Sequence, residues 1–153
     1  MCTKTPNLSL ITPNLCNDGH DFPCTNQPSG ASALSDIDSF LETWVPKITS
    51  SPAYRKDGLL EIVFDEGSNS DTSSCCGEAP GPSSPLPGIT GIGGGRVGAV
   101  LLSPFIKPGT VSGTSYNHYS SLASWESLFR VARLADAASA SSIFGPDVFT
   151  AVK

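Results

Sequence analysis

The sequence lacks any cluster of lysine and arginine residues. Its 153 residues include 9 basic and 14 acidic side chains, which give a formal net charge of −5 and are spread along the chain. Nucleic acids and anionic membranes attract concentrated positive charge, so neither is expected as the main partner. The chain also has no apolar run that approaches the roughly 18 residues of a membrane-spanning helix, so no transmembrane segment is expected.

A signal peptide is not expected either, because the opening MCTKTPNLSL has no basic stretch followed by an apolar one. The five cysteines do not have the paired spacing of a zinc site. They suit disulfides better, which form in oxidising compartments. Cys16 and Cys24 could close a short loop, whereas Cys75 and Cys76 are expected to bond to distant partners, since a disulfide between neighbours is strained. The odd number of cysteines and the lack of a recognisable signal together favour a piece or processed form of a longer secreted protein.

The hydrophobic pattern predicts an α/β domain. Five elements are expected, namely strands at 8–11, 59–64 and 97–102, and helices within 29–50 and at about 120–133. The first helix carries an apolar stripe and is capped by Ser32 or Ser35. A break or a fresh turn is expected at Val45, which precedes Pro46. The strand at 59–64 is almost continuously apolar, which is typical of a parallel sheet covered on both faces. Residues 67–96 form a long loop rich in glycine, serine and proline.

Two adjacent carboxylates, Asp65 and Glu66, follow the apolar run Ile62-Val63-Phe64. Like charges repel, and burial of an unpaired charge is costly, so a bound cation is one explanation for the pair. Ligand sites in open α/β sheets lie beyond the carboxyl ends of strands, and carboxylate oxygens suit calcium, magnesium or manganese. The alternative is that both are ordinary solvated charges at a strand end.

Both histidines of the chain lie in polar loops. The first loop, NDGHD, places His20 and Asp21 between two cysteines, and it either binds a metal or phosphate or is a polar loop that caps its own turns. The second, YNHYS, places His118 at the start of the last helix, with Asn117 or Ser120 as the cap. The helix dipole disfavours an imidazolium there, so a neutral ligand is available. A surface histidine beside two tyrosines is the alternative.

The segment GGGRVG contains the spacing G-x-G-x-x-G but precedes a strand instead of following one, so it is not expected to bind a dinucleotide. Close backbone approach near a ligand explains its glycines better. Arg96 within it can contact an anion or pair with a carboxylate.

Six stretches occur in one order, namely PNLCNDGHD, GLLEIVFDEG, CCGE, GGGRVGAVLLSPFIKPGT, YNHYS and FGPDVFT. They cover nearly the whole chain. In this order they resemble the C-terminal half of a bacterial phosphoesterase family that includes acid phosphatases, phosphatidylinositol-3-phosphatase-like enzymes and non-haemolytic phospholipases C, within the alkaline-phosphatase-like superfamily.

The resemblance implies part of a doubly wound α/β sheet flanked by helices, secretion, and metal-dependent hydrolysis of phosphoric esters. Asp65 and Glu66 match a metal-ligand position, and the metal would be calcium, magnesium, manganese or zinc. His20 matches an active-site histidine, His118 a later one, and Asp21 and Arg96 are further candidates. The implied substrates are small phosphate esters or phospholipid head groups.

The resemblance also implies that parts of the site are missing. The family uses a Glu-Asn pair and a serine or threonine nucleophile before the region matched here, and nothing upstream of Leu8 corresponds to them. Residues 1–153 are therefore expected to be one half of a larger domain and catalytically incomplete. The alternatives are a non-catalytic homologue that acts as a binding or structural module, and a secreted calcium-binding domain without enzymatic descent. A half-sheet would expose an edge, so self-association is expected.

Overall fold

The computed structural model describes residues 5–25, 27, 29–80, 85–86, 88 and 91–151. The chain divides into two compact units, Met1–Gly58 and Leu59–Lys153. Helices and strands are both present, which confirms the α/β class.

The first unit contains two helices, α1 at Ala33–Thr49 and α2 at Pro52–Asp57. Ser32 caps α1 as predicted and forms a capping box with Ser35. The predicted break before Pro46 is wrong, because the helix runs through the proline to Thr49. Only one further turn follows Pro46, and that turn is closed by Thr49 Oγ1 and the Ser50 N–H, which donate to the carbonyls of Val45 and Pro46.

The predicted strand at 8–11 is wrong. These residues are irregular, and the side chains of Leu8, Leu10 and Ile11 are exposed. Among the residues that the structure describes, the only strand pair lies in the second unit, so this segment has no ladder partner there. Without such a partner, the backbone N–H and C=O groups of a short apolar run form hydrogen bonds with water instead of with a neighbouring strand.

The second unit contains a two-stranded sheet built from β1 at Leu60–Val63 and β2 at Ala99–Leu102. The strands are antiparallel, with Leu60 opposite Leu102 and Val63 opposite Ala99. The expectation of parallel pairing and of burial on both faces is therefore wrong for these strands. The 35 residues that separate them form no crossover helix within their described part, so the chain returns beside β1 in the opposite direction. The larger doubly wound sheet stays a prediction.

The last helix, α3, spans His118–Phe129 and is followed by a 3₁₀ helix at Ala135–Ser139. It ends four residues earlier than predicted, because Arg130 adopts the left-handed conformation at φ 57°. Its buried face is made of small and polar side chains, namely Ser120, Ser121, Ala123, Ser124 and Glu126. Leu128 and Phe129 are exposed. The core of this unit is small and includes Ala123, Ala137 and Val148.

The segment 67–96 is irregular throughout its described part, as predicted. Its two ends are tied together, since the Gly67 N–H donates to Gly94 and the Gly95 N–H donates to Ser73. A Cβ at Gly93 would overlap the Ser73 carbonyl, so glycine is required for this approach. The glycines of the GGGRVG segment thus serve contact between two parts of the same segment.

The described residues form two disulfides. Cys16 and Cys24 close a short loop, which agrees with the possibility drawn from their spacing. Cys75 and Cys76 bond to each other, so the expectation of distant partners is wrong. Gly77, at φ 78°, follows them in a conformation that permits a tight turn, and the Cys76 N–H donates to Glu78. Cys2 lies outside the described residues.

In the described ranges, none of the helices combines the length and the apolar character that crossing a lipid bilayer requires.

Candidate functional site

Asp65 and Glu66 lie directly beyond β1, as the sequence predicts. Both side chains are exposed. From the other residues that the structure describes, neither carboxylate accepts a hydrogen bond or pairs with a cation. Two adjacent negative charges without a protein partner are open to an external cation.

The histidine of YNHYS lies against the backbone of this pair. His118 Nε2 is 2.8 Å from the Asp65 carbonyl oxygen. A carbonyl oxygen only accepts, so Nε2 must carry the proton of this hydrogen bond. In the neutral imidazole, Nδ1 then keeps its lone pair and is the nitrogen that can bind a metal or take up a proton. The structure thus brings His118 and Asp65 together and selects one tautomer of the ring.

His118 is the first residue of α3, so the cap of this helix sets the position of the ring. Asn117 is the cap, as predicted, and its Oδ1 accepts from the Ser120 N–H at 2.9 Å. The Asn117 Nδ2 donates to Glu78 Oε1 at 2.8 Å, which links α3 to the turn after the vicinal disulfide. Partial burial acts to raise the pKa of Glu78, but the hydrogen bonds from Asn117 and the Cys76 N–H outweigh it, so the pKa lies below its ordinary value.

A second carboxylate attaches α3 to the sheet. Glu61, in the middle of β1, accepts from Ser121 Oγ at 2.5 Å and from Trp125 Nε1 at 2.8 Å. Ser121 and Trp125 lie one turn apart, so both face the strand. This contact fixes α3 beside β1 and thereby holds His118 near Asp65.

A third carboxylate holds the segment before α3. Asp147 Oδ2 accepts from Ser112 Oγ at 2.5 Å and from Tyr116 Oη at 2.7 Å. These hydrogen bonds lower the pKa of Asp147 to about 2. Burial raises the pKa of Tyr116, as do its hydrogen bond to Asp147 and the negative charge of that residue. Tyr116 lies two residues before His118, so Asp147 contributes to the position of the ring.

His20 and Asp21 belong to the first unit, whereas Asp65 belongs to the second. Their loop caps its own turns, since Asp18 Oδ1 accepts from the His20 N–H at 2.9 Å and Asn14 Oδ1 accepts from the Cys16 and Asn17 N–H groups. This agrees with the polar-loop interpretation of NDGHD. Both side chains are exposed.

Arg96 is exposed, and its backbone N–H donates to Asp71 Oδ2 at 3.1 Å. Hydrogen bonds from Ser73, and from the Arg96 N–H, lower the pKa of Asp71. Over the described ranges, the guanidinium forms no ion pair. The predicted contact with an anion therefore stays a prediction.

The donor set at Asp65 and Glu66 fits a hard divalent cation in part. Both residues offer carboxylate oxygens, and His118 Nδ1 is a suitable nitrogen. Within the described chain, however, these three residues do not form a cluster of three ligand atoms; the group that does so is Cys75, Cys76 and Glu78. The structure therefore supplies two adjacent carboxylates and an oriented histidine as separate donors.

Sequence reasoning missed the carboxylates that hold α3. Glu61 gives a signal, because it is a single acidic residue inside an apolar strand and needs a partner there. Glu78 and Asp147 give none, because their partners are 39 and 31 to 35 residues away in the chain.

A model of the Phosphoesterase family matches residues 2–132. No curated protein matches the chain, and no solved structure does either.

Proposed function

Because the chain belongs to the phosphoesterase family, a family of phosphoric ester hydrolases, we propose that it carries part of a metal-dependent site for phosphate-ester cleavage. The observation that carries this proposal is the arrangement at the end of β1. There, two exposed carboxylates, Asp65 and Glu66, lie beside a histidine whose Nε2 is held by the Asp65 carbonyl.

Asp65 and Glu66 would hold the divalent cation, whose chemistry there is to draw electron density from a phosphoryl oxygen. Calcium, magnesium and manganese suit two carboxylates, and zinc becomes suitable if His118 Nδ1 joins them. The pair carries two negative charges without a protein counter-ion in the described chain, so a cation would relieve the repulsion between them.

His118 has the second role. With Nε2 fixed as a donor, Nδ1 is available to bind the cation or, when protonated, to donate to a phosphate oxygen. Glu61, Asn117 and Asp147 hold the helix and the loop that carry this ring, so they act as positioning residues.

His20 is proposed as a further active-site residue, with Asp21 beside it, on the strength of the NDGHD motif. Arg96 is proposed to contact an anionic oxygen of the ester. Small phosphate esters and phospholipid head groups are both proposed substrates. The disulfides are compatible with a secreted protein, and secretion is proposed with the family resemblance as its support.

We propose further that the chain is catalytically incomplete by itself, since none of its motifs matches the family's nucleophile. The second candidate is a non-catalytic module of the same descent. It is supported by the separation of Asp65, Glu66 and His118 into individual donors instead of one cluster.

The test is hydrolysis of a chromogenic phosphate monoester, and of a phosphatidylinositol or phosphatidylcholine head-group diester. The purified chain is assayed with calcium, magnesium, manganese or zinc, and with a chelator. Metal binding is measured in parallel by isothermal titration. The expected result is metal binding in the wild type without turnover, and loss of binding in Asp65→Asn.

The matched control is Asp38→Asn, which removes an exposed carboxylate of α1 and should leave metal binding unchanged. Equal metal binding by wild type and Asp65→Asn would overturn the metal site. Chelator-sensitive turnover by the wild type would overturn the incomplete-site proposal, and it would support a complete one.

A further inference from the structure

The turn at Cys75–Glu78 gathers three donor atoms that the proposed phosphoesterase site does not use. The Sγ atoms of Cys75 and Cys76 and one carboxylate oxygen of Glu78 all lie within 4.8 Å of one another. The two sulfurs are bonded to each other, so in this state they cannot act as thiolate ligands. The group therefore has the composition of a metal site, but the disulfide prevents its two sulfurs from binding a metal.

We propose that reduction of the Cys75–Cys76 disulfide opens a site for a thiophilic divalent cation such as zinc or cadmium, with Glu78 as the third ligand. Thiolates select zinc and similar soft metals over calcium and magnesium. This site is therefore distinct in chemistry from the oxygen donors of Asp65 and Glu66, and it does not depend on the proposed hydrolytic function.

The distances suit this metal. Tetrahedral zinc has Zn–S bonds of about 2.3 Å and Zn–O bonds of about 2.0 Å, so its sulfur and oxygen ligands lie about 3.5 Å apart. Cys75 Sγ is 3.8 Å from Glu78 Oε1. A disulfide sulfur carries no proton, so this is a contact and not a hydrogen bond. After reduction, the separation between the two sulfurs must increase from the 2.03 Å of the disulfide so that both can bind one ion.

Glu78 is already held for this role. Its Oε2 accepts from the Cys76 N–H at 3.0 Å, and its Oε1 accepts from Asn117 Nδ2 at 2.8 Å. An ionised carboxylate has about four lone-pair positions, so both hydrogen bonds can persist while Oε1 binds a cation. The same hydrogen bonds lower the pKa of Glu78 despite its partial burial, and the carboxylate is therefore available in its charged form.

The turn is also accessible. Cys75 is exposed and Cys76 is half-buried, so a reductant can reach the bond. Among the described residues, no atom outside the immediate neighbours of Gly77 lies within 4 Å of the place where its Cβ would stand. This open space gives room for water as the fourth ligand of a tetrahedral ion.

The redox step balances with a dithiol as reductant. One dithiol molecule gives two electrons and two protons, the Cys75–Cys76 bond breaks to two thiols, and the dithiol becomes a disulfide. Binding of the cation then replaces the two thiol protons, which pass to solvent. A small disulfide reverses the step by thiol–disulfide exchange: it takes up two electrons and two protons from solvent to become two thiols, the Cys75–Cys76 bond re-forms, and the ion is released.

The experiment uses the full chain with a phosphine reductant, which competes little for metal, and cadmium as the probe. Thiolate-to-cadmium charge transfer gives an ultraviolet absorption band that oxygen ligands do not give. We expect the reduced wild type to bind one equivalent of cadmium through thiolates and to show this band. The oxidised wild type should show no such band. Zinc should displace the cadmium and remove the band.

Two variants complete the test. Cys75→Ser/Cys76→Ser keeps the other three cysteines, so it reports any binding to Cys2, Cys16 and Cys24 after reduction. It should lose the equivalent that the wild type binds. Glu78→Gln keeps both thiols and the shape of the side chain. It should weaken cadmium binding by at least about 10- to 100-fold, because removal of an outer-shell partner alone lowers metal affinity by that much.

Equal binding by the reduced double-serine variant would overturn the site, as would the absence of the band in the reduced wild type. Unchanged affinity in Glu78→Gln would overturn the role of the carboxylate. Circular dichroism of each reduced variant shows whether α3 is retained, and the Glu78→Gln comparison stands even where the double-serine variant unfolds.

Discussion

Two groups of carboxylates in the second unit share a chemistry but not a role. Glu61, Glu78 and Asp147 each accept at least two hydrogen bonds, and each holds α3 or the segment before it. Asp65 and Glu66 accept none from the described residues. An acidic residue that accepts hydrogen bonds from its own chain therefore has a structural role. An adjacent pair of carboxylates that accepts none is a candidate binding site for an external cation.

The largest loss of stability is expected when a carboxylate with a structural role is removed. Glu61→Ala should lower the free energy of unfolding by about 3 kcal/mol, because two hydrogen bonds to a charged group are lost and Trp125 Nε1 keeps no acceptor there. Urea denaturation followed by circular dichroism measures the change. Glu61→Gln, which retains one acceptor, is the matched control and should lose less. A variant as stable as the wild type would show that Glu61 does not attach α3 to β1.

The second test concerns the exposed pair, Asp65 and Glu66, and measures the effect of added metal on stability. If Asp65 and Glu66 bind a cation, a hundredfold excess of it over its dissociation constant should stabilise the oxidised chain by about 2.7 kcal/mol. Asp65→Asn/Glu66→Gln should abolish this gain and leave the metal-free stability nearly unchanged, since neither side chain has a partner to lose. Thermal unfolding with and without metal is the measurement. An equal gain in the variant would place the cation elsewhere.

A smaller effect with a distinctive pH dependence is expected at Asp147. Its pKa in the folded chain is about 2, below the ordinary value of 3.8, so the ionised form favours folding. Its stabilising effect is complete above about pH 4 and disappears as the pH falls through 2. Asp147→Asn should therefore cost about 1.5 kcal/mol at pH 7, with a gap to the wild type that closes under acid. A gap independent of pH would mean that the ionised carboxylate is not the cause.

The smallest effect is expected at the cap of α3. Asn117→Ala removes the acceptor for the Ser120 N–H and should cost about 1 kcal/mol of stability. Asn117→Asp restores this acceptor but places a second negative charge beside Glu78. It should recover part of the helix cap while losing the link to the turn. Hydrogen exchange of the first amides of α3 distinguishes the two variants. Equal protection in both would contradict the cap, and wild-type protection in Asn117→Asp would contradict the link to Glu78.

Local features were predicted well from the sequence. Ser32 and Asn117 cap their helices as expected, and β1 and β2 lie within the predicted runs, because capping and apolar runs depend on neighbouring residues. The direction in which β1 and β2 pair was predicted wrongly, as parallel. A continuous apolar run favours a parallel sheet only on average, and here the choice is made by the path of the 35 residues between the strands.

The candidate site was predicted in part for the same reason. The position of Asp65 and Glu66 after β1 follows from adjacent residues. The hydrogen bond from His118 to the Asp65 carbonyl spans 53 residues and depends on Glu61, whose partners no local pattern reveals. The bond between Cys75 and Cys76 was not predicted, because the sequence alone does not show the turn that Gly77 permits beside it.

The antiparallel pairing of β1 with β2 has a consequence for the order in which the chain forms during synthesis. Val63 pairs with Ala99, so β1 leaves the ribosome about 40 residues before its partner exists. At about 5 to 20 residues per second, this leaves β1 unpaired for about 2 to 8 s. The hydrogen bonds of Glu61 to Ser121 and Trp125 form later still, because α3 is made after β2. During translation, β1 is therefore an apolar segment that a holding chaperone can bind before the second unit closes over it.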